Sequence, residues 1–469
     1  MRARLRDSQA SVTLVALCIT AVLAIALSSY LVLCYRSYHL STRLLHENQA
    51  RQLAQTGLEE ALWSLNQNNW TSGGPASSGS WTTSGANRSI TLSYSALGQG
   101  AAGQLALTVA NYTSTGPVWP TLTSMATITL GDGQTVTKTL QATTGPAPLF
   151  GNAIASASSY VSFVSGGTVD SWNSDPDNNP ATPAAAYSFT AGNSANYAAV
   201  VAGNDNGTNG VVLNQALVNG YVATFGKPVS YSTSGSPAGK VKGPGTSALV
   251  NVDATRLGKS AFIPVSPVFT VNRTSTSGSN FGGLLNNILD LVAILLGGPT
   301  SYDVYEVNGD LTINGVPLVS PNLTIDRPVQ LIVDGNLTIG TSGIFTGQIT
   351  VTPTGSLQIF VAGDGAIGGN GIQNQTRDPG KASIFFTDSS TSNSVRYTSS
   401  ADFYGVIYCV NKPIDIRQNA TFYGALLSDQ YVRFSNSATN PVFHYDTALR
   451  HVRFKDVTTP YVINQLIEP

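Results

Sequence analysis

The sequence predicts a mainly β protein carried on a long N-terminal α-helix, organised as a transmembrane helix, a small αβ head and a right-handed parallel β-solenoid body. Three observations predict it. An uncharged apolar run from Ser8 to Tyr35 leads, without a proline, into a second helical pattern. Behind it, short β-branched runs punctuated by Gly, Asn and Asp recur in near-identical form. Only 10% of the 469 residues are charged, against about 25% in soluble proteins.

That composition excludes several classes at once. Lys+Arg number 24 against Asp+Glu 25, a net charge of -1, so no excess of cations is available for counterion-release binding and nucleic acid is not an expected partner. Charge repulsion is also too weak to keep the chain disordered. Cys18 and Cys34 lie in the apolar run, which leaves Cys409 as the sole thiol of the body and rules out a disulfide within it. A chain of this length is expected to divide into two to four units.

Residues 1–35 read as a cytoplasmic leader and a membrane span. About 20 helical residues cross a bilayer core of about 30 Å, and the run from Ser8 to Tyr35 exceeds that. A cleaved secretory signal would have an apolar region of only about 7–15 residues, so a retained anchor is the preferred reading. Arg2, Arg4 and Arg6 precede the span and place the N-terminus in the cytoplasm by the positive-inside rule. The expected location is a bacterial inner membrane, crossed once, with the C-terminal body periplasmic or on the cell surface.

Residues 36–145 read as an amphipathic helix plus an antiparallel sheet. Ala50, Leu53, Ala54, Gly57, Leu58, Ala61, Leu62 and Leu65 recur at the spacing of one helix face, with Glu47, Arg51, Gln52, Gln55, Glu59 and Glu60 assigned to the other. Within that stripe Ala54, Gly57, Leu58, Ala61 and Leu65 are the candidate helix assembly face. One helix through residue 67, or two joined near Ser37–Ser41, satisfies the pattern equally. A Gly/Ser/Thr linker at 71–86 then gives way to strands at Ser89–Ser95, Gln104–Tyr112, Met125–Leu130 and Gln134–Ala142, the last two joined by the hairpin signal Gly131-Asp132-Gly133.

The leader, the opening Val12-Thr13-Leu14-Val15, and the run Gln52-Leu53-Ala54-Gln55-Thr56-Gly57-Leu58-Glu59-Glu60-Ala61-Leu62 together resemble the N-terminal region of PilX-like minor pilins of type IV pilus assembly. The resemblance covers about 65 residues. It implies a pilin-like head, pilin or pseudopilin subunits as partners, and possible leader cleavage between Ser11 and Val12. Ser11 stands where the family has Gly, Val12 where it has Phe, and Ala16 where most major pilins carry a Glu. A processed minor subunit and an uncleaved permanent anchor are therefore both open.

From 146 the chain reads as β-solenoid, in a segment at 146–280 and a C-terminal domain at 301–469. Val307-Asn308-Gly309-Asp310-Leu311-Thr312-Ile313 recurs as Val333-Asp334-Gly335-Asn336-Leu337-Thr338-Ile339, with Asn322-Leu323-Thr324-Ile325 as an echo. Phe403-Tyr404-Gly405-Val406-Ile407 recurs as Phe422-Tyr423-Gly424-Ala425-Leu426. Stacked coils of about twenty residues explain the repeats, with aliphatic residues inside and Gly, Asn and Asp at corners; an antiparallel sandwich is the alternative. The stretch 301–449, with its two Phe-Tyr-Gly turns and closing Phe443-His444-Tyr445-Asp446-Thr447-Ala448-Leu449, also resembles the C-terminal domain often attached to PilX-like N-termini in bacterial envelope proteins. Between the two segments, residues 281–300 read as an apolar helical insertion, from Leu284 to Leu296.

Candidate chemistry is sparse. Asp170, Asp175, Asp177, Asn178 and Asn179 form the densest oxygen cluster, read as an Asx-rich turn rather than a calcium loop because the EF-hand spacing is missing. No zinc-ligand spacing occurs among the four histidines, and His444 is read as packed in the last coil. Asp402, Asp415, Arg417 and Arg433 are the residues a glycan-cleaving β-helix would use. No metal, cofactor or catalytic residue is assigned, and the chain is read as a non-enzyme with the membrane, pilin subunits and a surface glycan as its expected partners. Its expected role is structural, in pilus or pseudopilus assembly, tip display or adhesion. A membrane-anchored carbohydrate-active β-helix enzyme and a pilus-independent surface protein are the alternatives.

Overall fold

The computed structural model describes residues 2–70, 80–95, 97, 101–112, 119–131, 133–179, 182–191, 193–204, 210–224, 227–231, 239–243, 268–269, 281–282, 303–313, 322–340, 347–387, 394–435 and 440–469, with side chains from Val12 onward except at 268–269, 281–282, 303 and 322. The apolar segment Leu284–Leu296 lies outside the described residues. Phe281–Gly282, at its start, is a short strand rather than part of a helix. The chain forms two compact units. Unit one is Met1–Ala147 with Pro460–Pro469, and unit two is Pro148–Thr459.

Unit one begins with a single helix, α1 (Arg2–Gln67), so one helix rather than two joined near Ser37–Ser41 is formed. Its 66 residues extend about 99 Å at about 1.5 Å per residue. It stops at Asn68, whose φ of 48° is a left-handed conformation that Asn tolerates better than most residues. The Asn68 and Asn69 N–H groups bond back to the carbonyls of Leu65 and Ser64. The Asn68 side-chain oxygen accepts from the Tyr112 hydroxyl at 2.5 Å and from the Trp70 indole at 2.9 Å, which ties the helix end to the sheet.

Against the C-terminal half of α1 lies an antiparallel sheet of β1 (Thr82–Ser84), β2 (Asn87–Tyr94), β3 (Ala102–Ala110), β4 (Thr121–Thr129) and β5 (Thr135–Pro146), paired in chain order and closed by the C-terminal strand Tyr461–Ile467. The predicted alternation is obeyed. Leu105, Leu107 and Val109 on β3, and Leu122, Ala126 and Ile128 on β4, all turn inward and are buried, as alternate residues of a half-buried strand must. The final ten residues thus belong to this head, not to the C-terminal domain at 301–469. Asn66 fixes them: its amide donates to the Tyr461 carbonyl at 3.0 Å, and its oxygen accepts the Tyr461 N–H at 2.6 Å. Unit two is therefore inserted between two neighbouring strands of unit one, since β5 and Tyr461–Ile467 are paired.

Unit two is built mainly from parallel sheets, with one short antiparallel pair between Val268–Phe269 and Val457–Thr458. In one, the order is Leu311–Ile313, Leu337–Ile339, Gly365–Ile367, Val395–Tyr397, Ile414–Ile416, Val432–Phe434, Val161–Phe163, Val211–Val212 and Val229–Ser230. In the second, Asp303–Asn308, Pro328–Val333, Ser356–Val361, Ala382–Phe386, Phe403–Cys409, Thr421–Ser428 and Val442–Asp446 stack in that order, and Thr168–Trp172 and Leu217–Ala223 follow. The repeats are in register: Val307 pairs with Val333, Leu311 with Leu337, and each residue of Phe403-Tyr404-Gly405 with its counterpart in Phe422-Tyr423-Gly424. Asn322–Ile325 departs from the expected echo. It pairs with Gln348–Val351 in a separate three-stranded sheet and does not stack on Leu311–Ile313.

The segments 146–280 and 301–469 are consequently not consecutive bodies. The last strands of the later segment, Val432–Phe434 and Val442–Asp446, pair directly with the first strands of the earlier one, Val161–Phe163 and Thr168–Trp172. Both share one buried core that runs from Leu149 to Leu449. Phe163 on Phe434, 4.7 Å between centroids and 3° from coplanar, continues it across the seam.

Two local rules explain the repeats. The Asp310 carboxylate accepts the Asn336 N–H at 2.8 Å, and the Asn336 side-chain oxygen accepts the Asp364 N–H at 2.7 Å, so each corner Asx satisfies the backbone of the next. Lys412, almost fully buried, ends this ladder on the Asp364 carboxylate at 2.9 Å. In the Phe-Tyr-Gly turns the constraint is steric. A Cβ on Gly424 would meet the Gly405 carbonyl oxygen at 1.9 Å, and φ at Gly424 is +144°.

The outer face of the second sheet is covered by its own chain. Segment 450–459 returns across it, with Phe454 against Phe385 and Phe150, the Gln330 amide donating to Asp456 at 2.9 Å, and the Gln358 amide donating to the Lys455 carbonyl at 2.6 Å. Residues on both faces of these strands are therefore buried, including Gln330, Gln358, Phe360 and Phe385.

Gly424→Ala is expected to destabilise unit two by about 2–4 kcal/mol in denaturant unfolding, through backbone displacement at the stacked turn. Gly131→Ala, whose added Cβ meets nothing within 4 Å, should change stability by less than about 0.5 kcal/mol.

Candidate functional site

The two halves of α1 have opposite surroundings. From Ala50 the helix is sheathed by the head: Ala54, Leu58, Ala61 and Leu65 are at most 5% exposed and share a core with Ile90, Leu105, Leu107, Leu122 and Leu140. Gly57 sits where any side chain would collide, since its Cβ would lie 2.4 Å from the Ser124 hydroxyl and 2.6 Å from Leu107. The proposed assembly face Ala54, Gly57, Leu58, Ala61 and Leu65 is thus spent on the chain's own sheet and is not a free surface for another subunit. Glu60, expected on the solvent side, is also buried.

The free surface is the other half. Leu14, Leu17, Val22, Leu23, Ile25, Leu27, Leu31 and Leu33 are each at least 59% exposed, and the stretch has a mean hydropathy of 2.4 over its most apolar window. It is long and apolar enough to cross a membrane, with no part of that window covered by the protein. Ser11 and Val12 lie within the unbroken helix. Val12 is 69% exposed, and the Ser11 side chain lies outside the described residues.

In unit two the densest chemistry sits at the seam. His444 Nδ1 lies 2.5 Å from the Asp170 carboxylate, whose second oxygen accepts the Tyr187 hydroxyl at 2.7 Å. Tyr187 stacks on the His444 ring at 3.6 Å, and Tyr404 stacks on Tyr423 at 4.0 Å beside it. Two residues on, Asp446 accepts the N–H and hydroxyl of Ser174 at 3.0 and 2.5 Å and the Ala448 N–H at 3.0 Å. His444 and Asp446 share a strand face but serve different partners. Burial pushes the Asp446 carboxyl up to about 6, and its bonds to Ser174 and Ala448 offset only part of that. This network was invisible in sequence because Asp170 and His444 are 274 positions apart.

A cleft of about 400 Å³ opens nearby, lined by Asp175, Asn178, Asn179, Asp378, Lys381, His451 and Arg453 among others. The Asx-rich loop contributes to it, and one oxygen each of Asp175 and Asp177 holds the loop's own turn. Asp175 accepts the Asn179 N–H at 2.8 Å, and Asp177 accepts the Thr182 hydroxyl at 3.1 Å. Asp170 leaves the cluster for the seam.

Of the four residues considered for glycan cleavage, three come together. Asp415, 1% exposed, receives Arg417 at 2.7 Å and Arg433 at 3.2 Å, and pairs in register with Arg396 and Arg433 on its neighbouring strands. Asp402 does not join them; its field acts on Tyr397, Tyr404 and Tyr423 instead. Both Asp415 oxygens accept guanidinium N–H groups, so the carboxylate is engaged in charge-assisted hydrogen bonds.

Fold and surface together define the class: a helix apolar and long enough to span a bilayer, an antiparallel head sheathing its second half, and a parallel-sheet unit inserted into that head. Residues 296–452 match the family of a domain of unknown function, DUF7305. No curated protein matches the chain. Among solved structures, the competence-associated pilin ComZ from Thermus thermophilus aligns over 90% of this chain and 97% of its own, at 12% identity and a TM-score of 0.23.

Because burial penalises the ionised Asp446, the sign of its contribution is set: stability is gained as pH falls through about 6 and the gain is complete near the ordinary carboxyl value of about 3.9. Wild-type protein should therefore gain about 1–3 kcal/mol relative to Asp446→Asn between pH 7.5 and pH 4.5, measured as the difference between their denaturation midpoints.

Proposed function

We propose that the protein is a membrane-anchored, non-enzymatic display subunit of minor-pilin type. Its N-terminal half-helix sits in a bacterial inner membrane with the N-terminus cytoplasmic, and it packs beside pilin or pseudopilin helices. The head caps that helix outside the membrane. Unit two is a right-handed parallel β-solenoid that presents its exposed surface to a surface glycan or another envelope partner.

One observation carries the reading. A single unbroken helix is exposed and apolar over Val12–Tyr35 and sheathed by an antiparallel sheet from Ala50, so burial of its first half requires lipid or other helices. The resemblance of residues 1–65 to PilX-like minor pilins supports the choice of helical partners. In-register stacking of the repeats supports the solenoid. Engagement of Asp415 by Arg417 and Arg433 supports a structural rather than catalytic face.

Two measurements test it. Leu23→Lys places a charge at the middle of the span, at an insertion cost of about 2.5–3.5 kcal/mol, and should shift the full chain out of the alkali-resistant membrane fraction. Wild-type chain should co-purify with pilin subunits after crosslinking through the exposed half-helix. Membrane retention without such partners would sink the pilin role and leave a static anchor. Sequencing of the mature N-terminus separates a subunit beginning at Val12 from one that keeps Met1.

A further inference from the structure

The two long parallel sheets of unit two present unequal faces. Segment 450–459 covers the sheet that contains Ala382–Phe386, whereas the sheet that contains Val395–Tyr397, Ile414–Ile416 and Val432–Phe434 turns polar side chains outward. On these three strands Arg396, Asp415 and Arg433 alternate with core residues and pair in register, so they share the outward face. From Arg396 to Arg433 is two strand spacings, about 9–10 Å. Arg417, two residues past Asp415, joins them.

Cations are in excess in this cluster. Asp415 is 1% exposed, and the arginines it holds, Arg417 and Arg433, are 40% and 38% exposed. Arg396 is exposed and has no ion pair among the described residues. Asp364, which lines a shallow pocket with Arg396, is balanced by Lys412 at 2.9 Å. Three guanidinium groups against one carboxylate leave two positive charges on this patch, in a chain with only 24 basic residues. The buried carboxylate also aims them. Arg417 gives it one N–H and Arg433 two, and the remainder of each fork is left for a ligand.

The flanks of the cluster differ in chemistry. Tyr431 lies on the same face as Arg433, whose guanidinium is 5.5 Å from its ring centre, and Tyr160 on the next strand stacks on Tyr431 at 5.4 Å and 8°. Both rings are half-buried. On the opposite flank, beyond Arg396, a pocket of about 300 Å³ is lined by Asn336, Thr338 and Ser394. Amide and hydroxyl groups, guanidinium forks and an aromatic pair thus follow one another across the strands. A chain of acidic sugars carries the complementary groups: hydroxyls, planar carboxylates and apolar C–H faces. An acidic peptide would engage the cations alone.

We propose that this face binds an acidic, uronate-bearing polysaccharide, with one carboxylate on Arg396, a second on Arg417 and Arg433, sugar hydroxyls in the pocket beside Ser394, and a sugar ring against Tyr431 and Tyr160. The inference deepens the glycan-display reading and rests on it.

The test uses the full chain in phosphatidylcholine nanodiscs, titrated calorimetrically with trigalacturonate. Wild type is expected to bind, and the affinity should fall as sodium chloride is raised. Arg396→Gln removes an exposed side chain that has no ion pair, so thermal unfolding should match wild type while binding weakens about 10-fold. Equal binding by Arg396→Gln, or equal binding of the methyl-esterified trimer by wild type, overturns the proposal. So does equal or tighter binding of inorganic phosphate, which would leave a general anion site, or of polyglutamate, which would point to an acidic protein partner. Binding of neutral glycans without trigalacturonate overturns this inference alone; binding of no glycan, acidic or neutral, overturns the glycan-display reading with it.

Discussion

The arrangement of unit two depends on one seam, where Thr168–Trp172 lies alongside Val442–Asp446. The strands are parallel, so no hairpin can join them, and their closure brings together residues more than 270 positions apart. The register there is held by apolar contact inside and by buried polar pairs outside. Phe443 pairs with Val169 in the core, while Asp170 meets His444 and Ser174 meets Asp446 on the covered face. A one-residue slip would turn Val169 outward and leave Asp170 and Asp446 buried without partners, a cost of several kcal/mol. Such closure also makes folding of this unit strongly non-local, and the early strands near 154–172 gain neighbours on one side only when the last ones form.

The same economy governs unit one. Its core is a helix stripe and one face of a sheet, and the sheet is complete only when the C-terminal strand returns from the far end of the chain. The two strands that flank the insertion in the chain pair with each other, so the head's own hydrogen bonding is continuous. What the head does not cover is the first half of α1. Eight or more exposed Leu, Ile and Val residues are unfavourable in water, and that surplus of apolar surface is the physical basis of the proposed membrane anchor.

Several features were legible beforehand because they are local. The strands β2 to β5 follow an alternation that any half-buried strand must show, and the hairpin after Thr129 is marked by Gly131 and Gly133. The Phe-Tyr-Gly pair reads as stacked turns because a Gly is required wherever two backbones approach as closely as those at Gly405 and Gly424. Other features misled for the same local reason. Asn322–Ile325 has the texture of Leu311–Ile313 yet lies in a different sheet, since three residues of Leu-Thr-Ile do not say which neighbour they will have. The stripe from Ala54 to Leu65 declares that it will be buried, but a stripe of that kind packs equally well on a sheet or on another helix.

By itself, the sequence determined the helix, its apolar first half, the β character of the rest and the period of the strongest repeats, all of which follow from side-chain size and spacing along a few turns of chain. The tertiary structure decided everything that needs two distant segments. It placed the last ten residues in the head, set residues 154–172 on residues 421–446, paired Asp170 with His444, and clamped Asp415 between two arginines. Hydrophobic patterning states only that a face must be buried, and the energy that selects its partner comes from packing and hydrogen bonds that exist once the chain has folded.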